Sequence, residues 1–241
     1  LIDAQGRLSG PLQGLPPVHE KDEGGLLDVA VAPDFDRSGL VYWTFSEPGV
    51  DGGPAATALA RARLVDERLE GVSVIWRQSP AAGRDRHFGS RILFGPDGLL
   101  YLGLGDRNLR DAAQDPSAAV GKVLRLRPDG RPAEGNPFAA AGGPAAAVWS
   151  LGHRNVQGLA VDPRDGSLWS TDHGPQGGDE LNRLQAGSNH GWPRVTTGCE
   201  YVTCEPIGRR DGPPEMTPPA HDFGTASVPL SSLTWVDSPD L

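Results

Sequence analysis

Apolar and polar residues alternate in short runs along this chain, and three stretches repeat one another. Residues 27–45 read LDVAVAPDFDRSGLVYWTF, residues 91–104 read RILFGPDGLLYLGL, and residues 158–170 read GLAVDPRDGSLWS. Each is a period-two strand, a Pro-Asp or Pro-Arg-Asp turn, a glycine, and a second period-two strand. Proline presets φ for the first turn position and glycine tolerates a positive φ near its end, so each block is expected to be a hairpin. The turn prolines Pro33, Pro96 and Pro163 stand 63 and 67 residues apart. One unit recurs.

Further strands are expected between the hairpins, at residues 58–64, 72–77, 122–127 and 146–150. Residues 110–120 carry at most a short helical turn, interrupted by Pro116. Four short, turn-bounded strands per repeat of this length predict an all-β fold, a β-propeller; a stacked β-solenoid has much shorter repeats. A fourth copy begins near Ser231 as SSLTWVDSPDL and reaches only its turn, Pro239 and Asp240. Residues 1–241 are therefore expected to form a single propeller domain covering about four blades, incomplete at its C-terminal end.

Composition narrows the partners. The 241 residues include 33 Gly and 23 Pro, and 37% are hydrophobic, enough to bury a core. No apolar run approaches the roughly 18 residues of a membrane span. The net charge is −9, and no local Lys/Arg cluster offsets it, which argues against nucleic acid and anionic membrane surfaces. Lys21 and Lys122 are the only lysines, a bias that reads as GC-rich coding. Cys199 and Cys204, in GCEYVTCEPIG, lack a second pair or a histidine at zinc spacing. A hairpin-closing disulfide is expected in preference to free thiols, and it favours an oxidising compartment. The chain begins at Leu1 without Met or a leader pattern, so a processed or trimmed sequence is expected.

Candidate chemistry concentrates between Trp149 and Pro193. Asp179 and Glu180 stand beside Gly174-Pro175 and Gly177-Gly178, and turns that expose carbonyls next to carboxylates suit a hard cation such as calcium. The fork of Arg154 suits a planar, oxygen-rich anion. The plainer alternative is a solvated acidic turn and a loop-capping Arg-Asn pair. Upstream, His87 precedes one strand of the second hairpin and Asp106 follows the other, so the hairpin brings both to one end. A neutral imidazole oriented by a carboxylate is a competent base near neutrality. A turn-capping loop histidine is the alternative there.

HFGSR, GLGDR, GKVLRL, NPF, GHRNxQGLA, HGPQGGDELN and GxNxGWP occur in this order, after an early GGLLDVAVAPDF. This set resembles the soluble pyrroloquinoline-quinone (PQQ)-dependent aldose sugar dehydrogenases, within the glucose/sorbosone dehydrogenases. The resemblance covers nearly the whole chain. It implies a six-bladed propeller that binds PQQ and Ca2+ on one face and oxidises the C1 hydroxyl of an aldose to the lactone, in the periplasm or as a secreted protein. By this resemblance His87 is the general base, Asp106 holds its imidazole, and Arg154 stabilises charge developing on the quinone. Asn155, Gln157 and Glu23 line the cofactor pocket. The carbonyls of Gly174 and Pro175 hold the catalytic calcium, while Glu180 and the carbonyl of His190 form a second, structural calcium site. The family usually has Gln where this chain has Glu23, and Tyr where it has His190. Its quinone-gripping Lys and Arg lie in repeats with no counterpart in residues 1–241. The resemblance admits a homodimer and leaves the electron acceptor open. Two other readings remain at this level: a non-catalytic scaffold propeller, and a calcium-dependent lactonase, for which converging carboxylates are few.

Overall fold

The computed structural model describes residues 1–81 and 83–236. Twelve strands form three four-stranded antiparallel sheets. The first contains β1 (Leu26–Val31), β2 (Leu40–Glu47), β3 (Ala56–Val65) and β4 (Arg68–Arg77); the second contains β5 (Gly89–Phe94), β6 (Leu100–Leu104), β7 (Lys122–Leu126) and β8 (Val148–Leu151). The third contains β9 (Val156–Val161), β10 (Leu168–Asp172), β11 (Glu180–Leu184) and the two-residue β12 (His221–Asp222). In every sheet the strands follow one another in chain order. The first strands pack side by side, β1 on β5 and β5 on β9. Consecutive meandering sheets whose first strands gather together are the blades of a β-propeller.

Local chemistry accounts for the hairpins. Gly39, Gly98 and Gly166 close the three repeat turns with φ of 63°, 72° and 72°, a region that side chains with a Cβ rarely enter. Asp97 and Asp165 each accept an N–H two residues on, from Leu99 and Ser167. One expected strand is shortened. Gly143–Ala147 is a 3₁₀ turn with Pro144 in its first turn, and β8 starts only at Val148, because proline favours a helix start. In the fourth repeat, residues 231–236 form no strand. Its turn, Pro239 and Asp240, lies outside the described residues.

Alternation along the strands feeds separate cores. Tyr42 and Leu59 of the first sheet pack with Ile92, Leu102 and Leu124 of the second. Val41, Trp43 and Phe45, which with Tyr42 alternate along β2, pack with Ala58, Ala60 and the N-terminal Leu12 and Val18. Tyr101 and Val123 turn the other way, onto Val156, Leu159 and Leu184 of the third sheet. Arg91 on β5 ties the first strands together, donating to Asp28 of β1 (3.1 Å) and to the Gln157 carbonyl of β9 (2.8 Å). The outer face of β1 stays open: Leu26, Val29 and Val31 are 58%, 69% and 56% exposed.

Leu102 is fully buried, opposite Ile92 and Leu124 in the register. Leu102→Ala is expected to cost about 2–5 kcal/mol, read as a lower urea midpoint at unchanged slope.

Candidate active site

The up-and-down topology puts the start of each first strand and the end of each second strand on one edge of a sheet. His87 stands just before β5 and Asp106 just after β6, and their side chains meet there, Nδ1 to Oδ1 at 2.7 Å. The imidazole is nearly buried and Asp106 is fully buried. His87 has a φ of 52°, and its backbone N–H donates to Glu23 Oε2 at 2.7 Å. Gly105 makes room for this backbone: a Cβ there would fall 1.8 Å from the His87 carbonyl oxygen.

Arg154 and Asn155 lie between β8 and β9, on the matching edge of the third sheet. Arg154 Nη2 donates to His87 Nε2 at 3.2 Å. That contact sets the tautomer: the Nδ1 proton faces Asp106 and the Nε2 lone pair faces Arg154. Arg154 Nη1 donates to the carbonyls of His173 (2.9 Å) and Gly174 (2.6 Å). Asp172, at the end of β10, anchors the dipeptide through the backbone N–H groups of Asn155 (2.6 Å) and Arg154 (3.1 Å). Burial pushes the Asp172 carboxyl up, but His153 and these two N–H groups outweigh it and hold it below the usual range. Asn155 Oδ1 accepts from Gly89 N and from Gln157 Nε2, each at 3.1 Å.

Glu23, Phe88, Arg91, Asn155, Gln157 and His173 line an open cleft of about 410 Å³ beside this cluster. His87, Asp106, Arg154, Asn155, Gln157 and Glu23 come together at this edge. The acidic pair does not. Asp179 takes the N–H groups of Gly174 (2.9 Å) and Val228 (2.6 Å), holding the turn shut. Glu180 opens instead into a separate cavity of about 310 Å³ with His190, Arg210 and Asp222. β11 begins at Glu180 while Asp179 is held in the turn before it, so the two adjacent carboxylates meet different surroundings.

Two places suit a hard cation. At the 173–175 turn the His173 and Gly174 carbonyls already converge on one positive charge, the Arg154 guanidinium. At Glu180, burial and the carboxylates of Asp172, Asp222 and Asp179 push the carboxyl up to about 8, a local deficit of positive charge. Carbonyl and carboxylate oxygens are calcium's donor chemistry. Among the described residues, no three His, Cys, Asp or Glu gather as a metal cluster. The imidazole of His190 is buried against His153, centroids 4.7 Å apart, and burial pulls it down to about 3.

Several contributors escaped the sequence reading. The Trp192 indole donates to Asp106 Oδ2 at 2.7 Å. Arg107, fully buried, donates to the carbonyls of Ala55, Arg84 and Arg86, bracing the loop that carries His87. Tyr201 Oη reaches Arg154 Nη2 at 3.4 Å from a loop closed by the Cys199–Cys204 disulfide. Arg91 and Trp192 stood inside quoted motifs, HFGSR and GxNxGWP, and that was their only signal. Lys122 is a strut, donating to the carbonyls of Ala112, Ala113 and Val120 within 2.9 Å.

The fold and this edge define a β-propeller with a buried imidazole–carboxylate pair beside a carbonyl-lined turn. Residues 1–241 match the model of the Glucose / Sorbosone dehydrogenase family. The chain belongs to that family. It is 43% identical over 196 residues to the aldose sugar dehydrogenase YliI of Escherichia coli, covering 80% of this chain and 53% of that protein. It therefore spans about half the length of the curated relatives it matches. Among solved structures, it superposes on the apo soluble aldose sugar dehydrogenase of E. coli with a TM-score of 0.85 at 39% identity, covering 91% of this chain and 64% of that one. The PQQ-bound aldose sugar dehydrogenase of Streptomyces coelicolor gives 0.78 at 33% identity, over 97% of this chain and 64% of that one. No helix among the described residues is long and apolar enough to cross a membrane.

The raised carboxyl of Glu180 has a sign. Its pKa of about 8 lies above the ordinary 4.5, so the folded chain binds the extra proton and stability falls as pH rises between those values. With a chelator present, Glu180→Gln is expected to flatten that decline in denaturant titrations across the interval.

Proposed function

We propose that this chain is part of a PQQ- and calcium-dependent aldose dehydrogenase that oxidises the C1 hydroxyl of the sugar to the lactone. The observation that carries the reading is the His87 imidazole, held by Asp106 on one side and meeting Arg154 across a sheet boundary on the other. His87 Nε2 takes the hydroxyl proton, the hydroxyl replacing Arg154 as its donor. Asp106 Oδ1 stabilises the imidazolium that forms. Arg154, held in place by the carbonyls of His173 and Gly174, keeps a fixed positive charge beside His87, where aimed charge lowers the barrier most. Asn155, Gln157 and Glu23 border the space for the flat cofactor. What the bound quinone and calcium contribute is hydride acceptance from C1 and Lewis-acid polarisation. The carbonyls of Gly174 and Pro175 would hold the catalytic ion, and Glu180 with the His190 carbonyl the structural one.

Glu23, a carboxylate where the family usually has Gln, is the one residue that leans toward the scaffold alternative, yet it also has a structural partner here. Its carboxylate is engaged by the His87 N–H, so it supports the base. The disulfide supports a periplasmic or secreted location. In the full-length protein loaded with quinone and calcium, His87→Ala is expected to lower kcat by about 10²–10⁴. Quinone binding, followed by absorbance, should survive. Undiminished turnover in that variant would refute the assignment, and a wild type that takes up no quinone at saturating calcium would favour the scaffold.

The open apolar face of β1 leads us to read residues 1–241 as one propeller unit whose ring further sheets complete. On that reading Val29→Asp changes stability of the 241-residue chain by no more than about 0.5 kcal/mol. In the longer chain the same change costs more than about 2 kcal/mol, by burying an unpaired charge. Equal effects in both unfolding titrations would reject ring closure on this face.

A further inference from the structure

We infer that Trp192 is a positioning residue for the proposed base, its indole N–H fixing Asp106 and its ring face fixing Arg154. The inference rests on the reading of His87 and Asp106 given above. Asp106 has no exposed surface, so every lone pair must find a protein donor or go without. Oδ1 is shared by His87 Nδ1 (2.7 Å) and the Asn108 N–H (2.8 Å). Oδ2 receives Trp192 Nε1 at 2.7 Å. The two oxygens are thus pulled in different directions, and the indole opposes rotation of the carboxylate away from the imidazole.

The same ring meets the other partner of His87. The Arg154 guanidinium carbon lies 5.5 Å from the Trp192 ring centroid, within cation–π range. Trp192 therefore touches both groups that grip the imidazole, one at each ring nitrogen. Its own place is fixed by backbone. Its N–H donates to the Gly152 carbonyl (3.0 Å) and its carbonyl accepts from Gln114 Nε2 (2.8 Å). Gln114 also pairs with Asn189 in both directions at 2.9 Å.

A packing role alone does not account for the contact. Among the described residues, the buried indole N–H groups of Trp43 and Trp149 find no acceptor. This fold thus tolerates an unpaired indole, whereas Trp192 is aimed at a carboxylate 86 residues away. The residue reaches from the loop between β11 and β12 across to the second sheet, so the pair is complete only when the two sheets dock.

The test uses the full-length protein. Trp192→Phe keeps a ring beside Arg154 and removes only the donor. In the quinone-free protein, the proton resonance of His87 Nδ1–H, assigned by its loss in His87→Ala, is expected to shift or to broaden by exchange with water. In the loaded enzyme, kcat is expected to fall roughly tenfold with KM for the sugar nearly unchanged, since the lost interaction acts on the proton-transfer barrier. In an Asp106→Asn background the same substitution should add less than about twofold, because the effect travels through that carboxylate. Should Trp192→Phe not fold, Asp106→Asn reads the bond from its other end, by moving the Trp192 indole N–H resonance. An unmoved Nδ1–H resonance in folded Trp192→Phe, or an unmoved indole resonance in Asp106→Asn, overturns the inference even if the enzyme is active. Absence of sugar oxidation in the wild type overturns the proposed function instead, and the resonances still judge Trp192.

Discussion

A carboxylate with no access to water organises this molecule's functional edge. Asp106 can remain buried only if donors surround it, and those donors come from separate places: His87 before β5, Asn108 in the following turn, and Trp192 from the third sheet. Its own backbone N–H donates to the Arg154 carbonyl at 2.7 Å. Satisfying one side chain therefore brings two blades into register. The same contacts leave the His87 Nε2 lone pair turned toward Arg154.

The repeat places a second imidazole–carboxylate pair in the next blade. His153 and Asp172 are separated by nineteen residues, as are His87 and Asp106. The two pairs have different surroundings. The His153 Nε2 is closed off by Ser150 Oγ at 2.8 Å, and its ring is fully buried beside His190. Asp172 meanwhile holds the backbone N–H groups of Arg154 and Asn155. One copy of the unit presents an imidazole, and the next anchors the arginine that meets it. The same spacing presents an imidazole in one blade and supports an arginine in the other.

Buried cations do comparable work beneath the surface. Arg107 gathers carbonyls from the first sheet's loop and from the segment before His87, and stacks on Phe88 at 3.7 Å. Lys122 gathers three carbonyls around the turn that leads into β7, and burial draws it down to about 7. Both satisfy carbonyls that irregular loops would otherwise leave unpaired. Glu180 is the opposite case, a carboxylate among carboxylates.

What the sequence determined by itself was periodic or local. Alternation located the strands, and Pro-Asp-Gly turns located the hairpins, because strand period and turn chemistry depend on residues a few positions apart. His87 and Asp106 were also legible, since a hairpin must return its ends to one edge. Tertiary structure alone decided the rest. Asp179 and Glu180, neighbours in the chain, turn to different partners because β11 begins only at Glu180 while Asp179 closes the turn before it. Glu23 became a support for His87, and Trp192 and Arg107 became braces, through contacts spanning 64, 86 and 52 residues. No local pattern encodes such distances; they exist only once the sheets have packed and each buried polar group has had to find its partner.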